Sequence, residues 1–493
     1  MKLTTLQHWA FSMLVFSALS VCGTPVRGQE TAERLSRAVD EVFADVTKPG
    51  SPGCSVAVAR DGKLLFAKGY GLANIEQNVP LAADSVFDIG STSKQFSAAS
   101  ILLLEKQGKL SLQDDVRKYI PELPDYGKKV TILNLLNHTS GLRDYLVLFE
   151  LAGIHVDSVT TDDEALALVS RQKALNFDPG TDWLYSNTGF FLMSVIVKRV
   201  SGVSLSEFAA ANIFQPLEMT HTRFRDSHTL LIPNRALAYD ALPKEVGYQL
   251  NVSYFEQTGD GAVHTTVGDL LKWDENFYDG KVGGKALVAE LQEQGSLNSG
   301  KKLDYAKGLF VAKYRGLPVV RHGGAWGGYR AELLRFPMQH FSTVCVCNRS
   351  DGNPEDRANK VADIFLASLL GPKEKQKEEA DPEDKKRKPI QIASAELKQF
   401  AGDYKNVELG VIYRLAFKED KLEFSGIHDL AGLPRSSELA GKALLPFAED
   451  EVGFSEMPVY LRFQKDATGR PVSFVLDAGR TKGMIFTRVE SAR

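Results

Sequence analysis

Phe87-Asp88-Ile89-Gly90-Ser91-Thr92-Ser93-Lys94 runs directly into the apolar stretch Phe96 to Leu104. The join sets Ser91 at or near a helix N-terminus, where unsatisfied backbone N–H groups favour negative charge. Lys94 lies on the same face one turn later. A serine hydroxyl is a weak nucleophile until a neighbouring base takes its proton, and a lysine kept neutral by its surroundings can be that base. Ser-x-x-Lys alone says little, because Ser170 to Lys173 and Ser299 to Lys302 repeat it, and there it reads as solvated surface. Gly90 before Ser91 and the apolar helix after it set this copy apart, since they bury the pair where two elements join.

Working outward, Leu35, Val39, Val42, Phe43 and Val46 recur at helical spacing and predict an amphipathic helix over residues 31 to 46. Cys54, Val56 and Val58 then alternate, Asp61-Gly62 signals a hairpin turn, and Leu64 to Tyr70 form the return strand. From Lys94 to Val200 the chain reads as helices broken by loops such as Asp178-Pro179-Gly180, and Val319 to Arg349 returns to strands. Strands at both ends of a helical middle predict an α+β domain, an antiparallel sheet flanked by helices plus a helical lobe. Residues 373 to 388 hold thirteen charges in sixteen positions, seven basic and six acidic, with no aromatic residue. Such a run is a solvated linker. Beyond it Val411, Tyr413, Leu415 and Phe417 alternate up to a turn at Lys418 to Lys421, and Leu422 and Phe424 return. Val459 to Phe463 and Val472 to Leu476 flank a second turn at Asp466 to Gly469, so a small all-β barrel or sandwich is expected. The expected organisation is a signal peptide at 1–28, a main domain at 29–372, a charged linker at 373–390 and a β-barrel-like domain at 391–493.

The composition agrees with a globular protein of two or three domains: 493 residues, 43% apolar and 25% charged, with 59 Lys and Arg against 62 Asp and Glu. A net charge of -3 without a basic cluster argues against a nucleic-acid partner. After Lys2 no charge appears until Arg27, and Trp9 to Val21 is an apolar run too short to span a bilayer. It reads as a signal peptide cleaved after Gly28, hence export to the periplasm or beyond and no integral membrane span. Lipid anchoring on Cys22 is the less favoured alternative, because Val21 before it is bulky. Three cysteines would remain, Cys54, Cys345 and Cys347. Buried apolar cysteines are the favoured reading, and one disulfide from Cys54 the alternative. Cys-x-Cys lacks a second ligand pair and no histidine pair has helix-ligand spacing, so neither a metal nor a cofactor is expected.

Two further stretches carry chemistry. Tyr185-Ser186-Asn187 follows the loop Asp178 to Thr181 and precedes the apolar run Phe190 to Val197. Tyr185 can accept a proton as phenolate only if a nearby charge lowers its reference pKa of about 10, and Lys94 is the candidate charge. By itself the tyrosine reads as a half-buried aromatic. Arg321-His322-Gly323-Gly324-Ala325 lies within a strand signal, and two glycines there are costly unless a backbone or ligand approaches closely. A strand edge of that kind can donate an N–H to an oxyanion; a hinge with a structural histidine is the plainer reading.

In this order the three stretches resemble the serine β-lactamase and penicillin-binding protein superfamily, in its class C β-lactamase-like branch. The resemblance covers about residues 31 to 370 and includes Leu135-Leu136-Asn137-His138-Thr139-Ser140-Gly141-Leu142 and the glycine-rich Thr258 to Asp269. It implies a serine hydrolase in which Ser91 is acylated, Lys94 and Tyr185 share its proton, and Asn187 hydrogen-bonds near the lysine and the substrate amide. His322-Gly323-Gly324 stands where the family has Lys-Thr-Gly, and the N–H groups of Ser91 and Ala325 form the oxyanion hole. The implied substrate is a small ester, a D-amino-acid peptide or a lactam, as in esterase and D-aminopeptidase-like members, some of which carry a β-barrel after the catalytic domain. A non-catalytic cell-wall peptide or lactam-binding protein is the competing class, and the intact Ser91, Lys94 and Tyr185 argue against it. No Lys-Thr-Gly occurs in the chain. With a largely neutral His322 in its place, neutral esters are expected to be better substrates than β-lactams unless Arg321 or Arg330 supplies the missing cation.

Overall fold

Asp61 and Gly62 both have positive φ, 50° and 70°, as a two-residue hairpin turn matched to strand twist requires. In the computed structural model, which describes residues 26–242, 247–373 and 387–489, that hairpin is one edge of a large sheet. Most of the expected signal peptide (1–25) and of the linker (374–386) falls outside the described residues. The sheet contains β1 (Cys54–Arg60), β2 (Lys63–Tyr70), β3 (Gln294–Ser296), β4 (Lys302–Ala306), β5 (Leu309–Tyr314), β6 (Leu317–Trp326), β7 (Tyr329–Phe336) and β8 (Phe341–Cys347). These eight strands are antiparallel in the order β3-β4-β5-β6-β7-β8-β1-β2, so the two ends of the domain meet where β1 pairs with β8.

Period-2 alternation divides the core between the two faces. Val56, Val58 and Cys345 pack with residues of α1 (Val26–Val42) and α5 (Pro354–Phe365). Ala57, Val344 and Val346 belong to the larger core with α2 (Lys94–Lys106), α3 (Asn187–Ser201) and α4 (Val267–Asp279). The first helix is displaced from the expected 31 to 46: it ends at Val42, and a 3₁₀ turn over Ala44–Val46 carries Val46 into the core. The cysteine expectation also needs correction. Antiparallel register sets Cys54 directly opposite Cys347, and the two form a disulfide, while Cys345 opposes Val56 and stays free and buried.

The last hundred residues close on themselves. Strands β9 (Gly402–Asn406), β10 (Val411–Lys418), β11 (Lys421–Asp429), β12 (Lys442–Ala448), β13 (Glu451–Gly453), β14 (Val459–Lys465), β15 (Pro471–Ala478) and β16 (Thr481–Arg488) follow the order β10-β9-β16-β15-β14-β13-β12-β11, and β10 pairs back onto β11. Closure leaves no unpaired edge in this ring. Tyr404, Tyr413, Phe463, Phe474 and Phe486 fill the interior with ring-on-ring contacts. The barrel docks on the helical lobe. Tyr413 donates to the carbonyl of Leu151 at 2.7 Å, and the buried Arg143 guanidinium reaches Glu408 at 2.8 Å and the carbonyls of Lys482 and Gly483 at 3.0 Å.

Candidate active site

Two of the glycines, Gly90 and Gly324, are where backbones touch. Gly90 has φ +49° and opens the 3₁₀ turn Gly90–Ser93 that leads into α2, and a Cβ there would lie 2.7 Å from the Ala325 nitrogen. A Cβ on Gly324 would lie 1.9 Å from the Ile89 carbonyl oxygen. Strand β6 therefore presses directly on the turn that carries Ser91, and Thr92 Oγ1 seals the contact by donating to the His322 carbonyl at 3.1 Å. Asp88 accepts from the Gly90 N–H at 2.8 Å, which fixes the turn from below.

Lys94 is fully buried, and its Nζ lies 2.9 Å from Ser91 Oγ, 2.9 Å from Asn187 Oδ1 and 2.6 Å from the Asp260 carbonyl oxygen. Burial disfavours the ammonium and pulls its pKa down to about 7, against the opposing pull of Asp260 and Asp144, with Arg480 adding to the depression. Asn187 begins α3, and its orientation is set by Asp144, which accepts its backbone N–H at 2.8 Å and its Nδ2 at 3.0 Å. Asp260 buries its carboxyl against the Tyr145 hydroxyl at 3.1 Å, and burial raises its pKa.

The Ser91 hydroxyl acts to lower the Tyr185 pKa, and Lys94 Nζ lies 4.9 Å over the tyrosine ring. The expected lowering of its pKa is not what the geometry produces. Desolvation of the half-buried phenol outweighs the pull of the Ser91 hydroxyl and of the Arg480 charge, so its pKa rises above the ordinary tyrosine value. Tyr185 rests as a neutral phenol, and Lys94 is the group of the pair that titrates near neutrality. His138 of the Leu135 to Leu142 stretch supports this turn: its Nδ1 accepts from the Ser186 N–H at 3.1 Å, its ring packs 4.2 Å from that of Tyr185, and burial keeps it neutral.

His322 is buried, with Nδ1 2.6 Å from the Gly323 carbonyl and Nε2 3.3 Å from the Tyr305 hydroxyl. A neutral ring donating from Nδ1 and accepting at Nε2 satisfies both contacts. Desolvation, then Lys94, lowers its pKa to about 3, so no cation stands at this point of the strand. Arg321 does not supply one, being held by both carboxylate oxygens of Glu332 at 2.9 and 3.0 Å and by Glu355. Arg330 turns to the carbonyls of Gly327 and Tyr329 at 2.7 and 2.6 Å.

Ser91, Tyr185, Asn187, His322, Gly323, Gly324 and Ala325 line one open cleft of about 930 Å³, and Lys94 lies buried behind Ser91. Four contributors went unread in the sequence: Asp144, Asp260, Glu332 and Arg480. Asp144 has a local signal, since it caps the helix Tyr145–Leu151 just after Ser-Gly-Leu. Arg480, between β15 and β16 of the barrel, has none.

Residues 38–368 match the Beta-lactamase family model: the chain belongs to the β-lactamase family of serine hydrolases. Its particular relatives are penicillin-binding and D-amino-acid-processing proteins. It is 31% identical over 354 residues to penicillin-binding protein 4* of Bacillus subtilis (strain 168), which spans 69% of this chain and 76% of the relative. It is 29% identical over 339 residues to the D-aminopeptidase of Gluconobacter oxydans (strain 621H), covering 69% of this chain and 62% of that protein. The octameric penicillin-binding protein homologue from Pyrococcus abyssi shares the fold over 94% of this chain and 100% of its own, with a TM-score of 0.59 at 22% identity.

Proposed function

We propose that this protein is an exported serine hydrolase that cleaves a small ester or amide, or a D-amino-acid peptide or lactam, through an acyl-enzyme on Ser91. The observation that carries this reading is the buried Lys94 ammonium site, 2.9 Å from Ser91 Oγ with a pKa of about 7. Neutral Lys94 takes the Ser91 proton as Oγ attacks the substrate carbonyl, and the N–H groups of Ser91 and Ala325 receive the oxyanion. Neutral Tyr185 gives its proton to the leaving group. The phenolate left behind, beside the Lys94 ammonium and Arg480, takes a proton from water, and the hydroxide attacks the acyl carbonyl. Ser91 departs with the proton held on Lys94, so every group returns to its starting state. Asn187 holds Lys94 in place and faces the substrate amide, and Gly324 lets the strand approach the Ser91 turn, while Gly323 leaves room for the Glu332 carboxylate. No step calls for a metal or an organic cofactor. The disulfide between Cys54 and Cys347 supports export, because such bonds persist in oxidising compartments.

A fluorophosphonate probe tests the assignment. One adduct on the Ser91 peptide is expected, absent in Ser91→Ala, with Ser170 and Ser299 unlabelled. An adduct on either of those serines, or normal turnover by Ser91→Ala, would overturn it.

A further inference from the structure

The cleft has four arginines, Arg225, Arg321, Arg330 and Arg480. Arg225 donates to the carbonyls of Ser253 and His228 at 3.2 and 2.8 Å, and Arg321 and Arg330 are engaged as described above. Arg480 differs. Among the described residues its guanidinium makes no hydrogen bond, and its one ion pair is to Asp144 Oδ2 at 3.4 Å. That carboxylate already accepts four N–H bonds, from Leu146, Val147 and twice from Asn187. The side chain is 39% exposed, and the guanidinium lies 5.6 Å over the Tyr185 ring. It is thus a cation with donors left over, facing the cleft.

Its backbone is held firmly. The Arg480 carbonyl accepts from the Asp144 N–H at 3.3 Å and from Asn176 Nδ2 at 3.0 Å, the Lys482 N–H donates to Asn176 Oδ1 at 2.9 Å, and Arg143 donates to the Lys482 and Gly483 carbonyls. The turn between β15 and β16 is in this way built into the wall of the cleft although it belongs to the barrel. Its position also fixes which half of a substrate it meets. If Tyr185 protonates the leaving group, that half must lie against the phenol, and Arg480 covers the same phenol.

Resting on the acyl-enzyme reading, we propose that Arg480 binds a carboxylate on the leaving group, and that the preferred substrate is an acyl compound whose departing half carries a free carboxylate, as the C-terminal residue of a peptide does. The cation missing from strand β6 is supplied by the other domain. A planar guanidinium with free N–H groups suits a carboxylate better than an ammonium does. The neutral-ester preference expected from the sequence is then reversed for substrates of this shape.

Two N-benzoyl-D-alanyl thioesters separate the possibilities, one releasing thioglycolate and the other thioglycolamide, with thiol release followed by colour. They differ at the end of the departing half, a carboxylate in one and an uncharged carboxamide of similar size in the other. The full-length enzyme should show a kcat/KM ratio favouring the anionic substrate by about 10- to 100-fold, the range of one charge-assisted hydrogen bond. Arg480→Gln should reduce that ratio toward one, chiefly through KM, and Arg480→Lys should keep part of it. A ratio of one in the unmodified enzyme overturns the proposal. So does Arg480→Gln with the ratio intact, or an equal loss on both substrates, which would mean that Arg480 acts only by positioning Asp144 and Asn187. Should Arg480→Gln melt like an unfolded chain, the unmodified enzyme and Arg480→Lys still decide. Two inert thioesters together with an unlabelled Ser91 would instead sink the acyl-enzyme reading itself.

Discussion

If Lys94 is the base that activates Ser91, the rate on a neutral substrate must follow its deprotonation. Burial pulls the group down to about 7, whereas an exposed lysine titrates near 10.4. The neutral fraction at pH 5 is then about 1%, and at pH 8 about 90%. For an uncharged ester kcat/KM should rise about tenfold per pH unit below 6, reach half its maximum near 7, and gain about 100-fold in all between pH 5 and pH 9. Tyr185, raised by its own burial, stays protonated through this range, so no alkaline decline is expected below about pH 10. Asp260 supplies an additional handle. Its charge opposes the depression of Lys94, so Asp260→Asn should move the midpoint to lower pH without changing the slope. Stopped-flow acylation by a p-nitrophenyl ester across the pH range measures all of this. A profile flat from pH 5 to 9, or one still climbing tenfold per unit above pH 9, would refute a neutral Lys94 as the base.

Two other perturbations probe the surrounding structure. Gly324→Ala puts a Cβ 1.9 Å from the Ile89 carbonyl and 3.0 Å from Thr92 Oγ1, so β6 must withdraw by more than an ångström; a loss of about 100-fold in kcat/KM is expected, and a fully active variant would contradict the close apposition of strand and turn. Arg143→Ala leaves Glu408 and two barrel carbonyls without their buried partner and should cost about 3–5 kcal/mol; calorimetry should show a lower Tm and hydrogen exchange faster opening at residues 480–483, and unchanged exchange there would refute the docking role.

What could be read in the sequence was what neighbouring residues decide together. Gly90, Ser91, Lys94 and the apolar helix are contiguous, so their junction, the Asp61-Gly62 hairpin and the alternating strands of the barrel are all legible in the sequence. Register was not. Cys345 and Cys347 stand on one face of a strand with equal claims on Cys54, and only the pairing of β1 with β8 brings Cys347 opposite it. Burial was not visible either. The sequence reading has Lys94 lower the Tyr185 pKa by its charge, but Lys94 is fully enclosed and Tyr185 half-buried, and desolvation opposes the charged form of each. The outcome is a neutral phenol beside a lysine that titrates near neutrality.

The same limit explains the search for a cation. Arg321 and Arg330 were the candidates that proximity in the chain offered, and both lie on strands adjoining Ser91, yet each folds back onto carboxylates or carbonyls of its own sheet. Arg480 is remote in sequence and reaches the cleft only because Arg143 and Asn176 of the helical lobe hold the turn that carries it. Asp144 stands where the two arrangements meet: its backbone N–H secures that turn, and its carboxylate orients Asn187, which in turn positions Lys94. Docking of the barrel and selection of the substrate are therefore not independent. A substitution that loosens the turn, such as Arg143→Ala, should lower the preference for an anionic leaving group along with the melting temperature, although Arg143 itself lies outside the cleft.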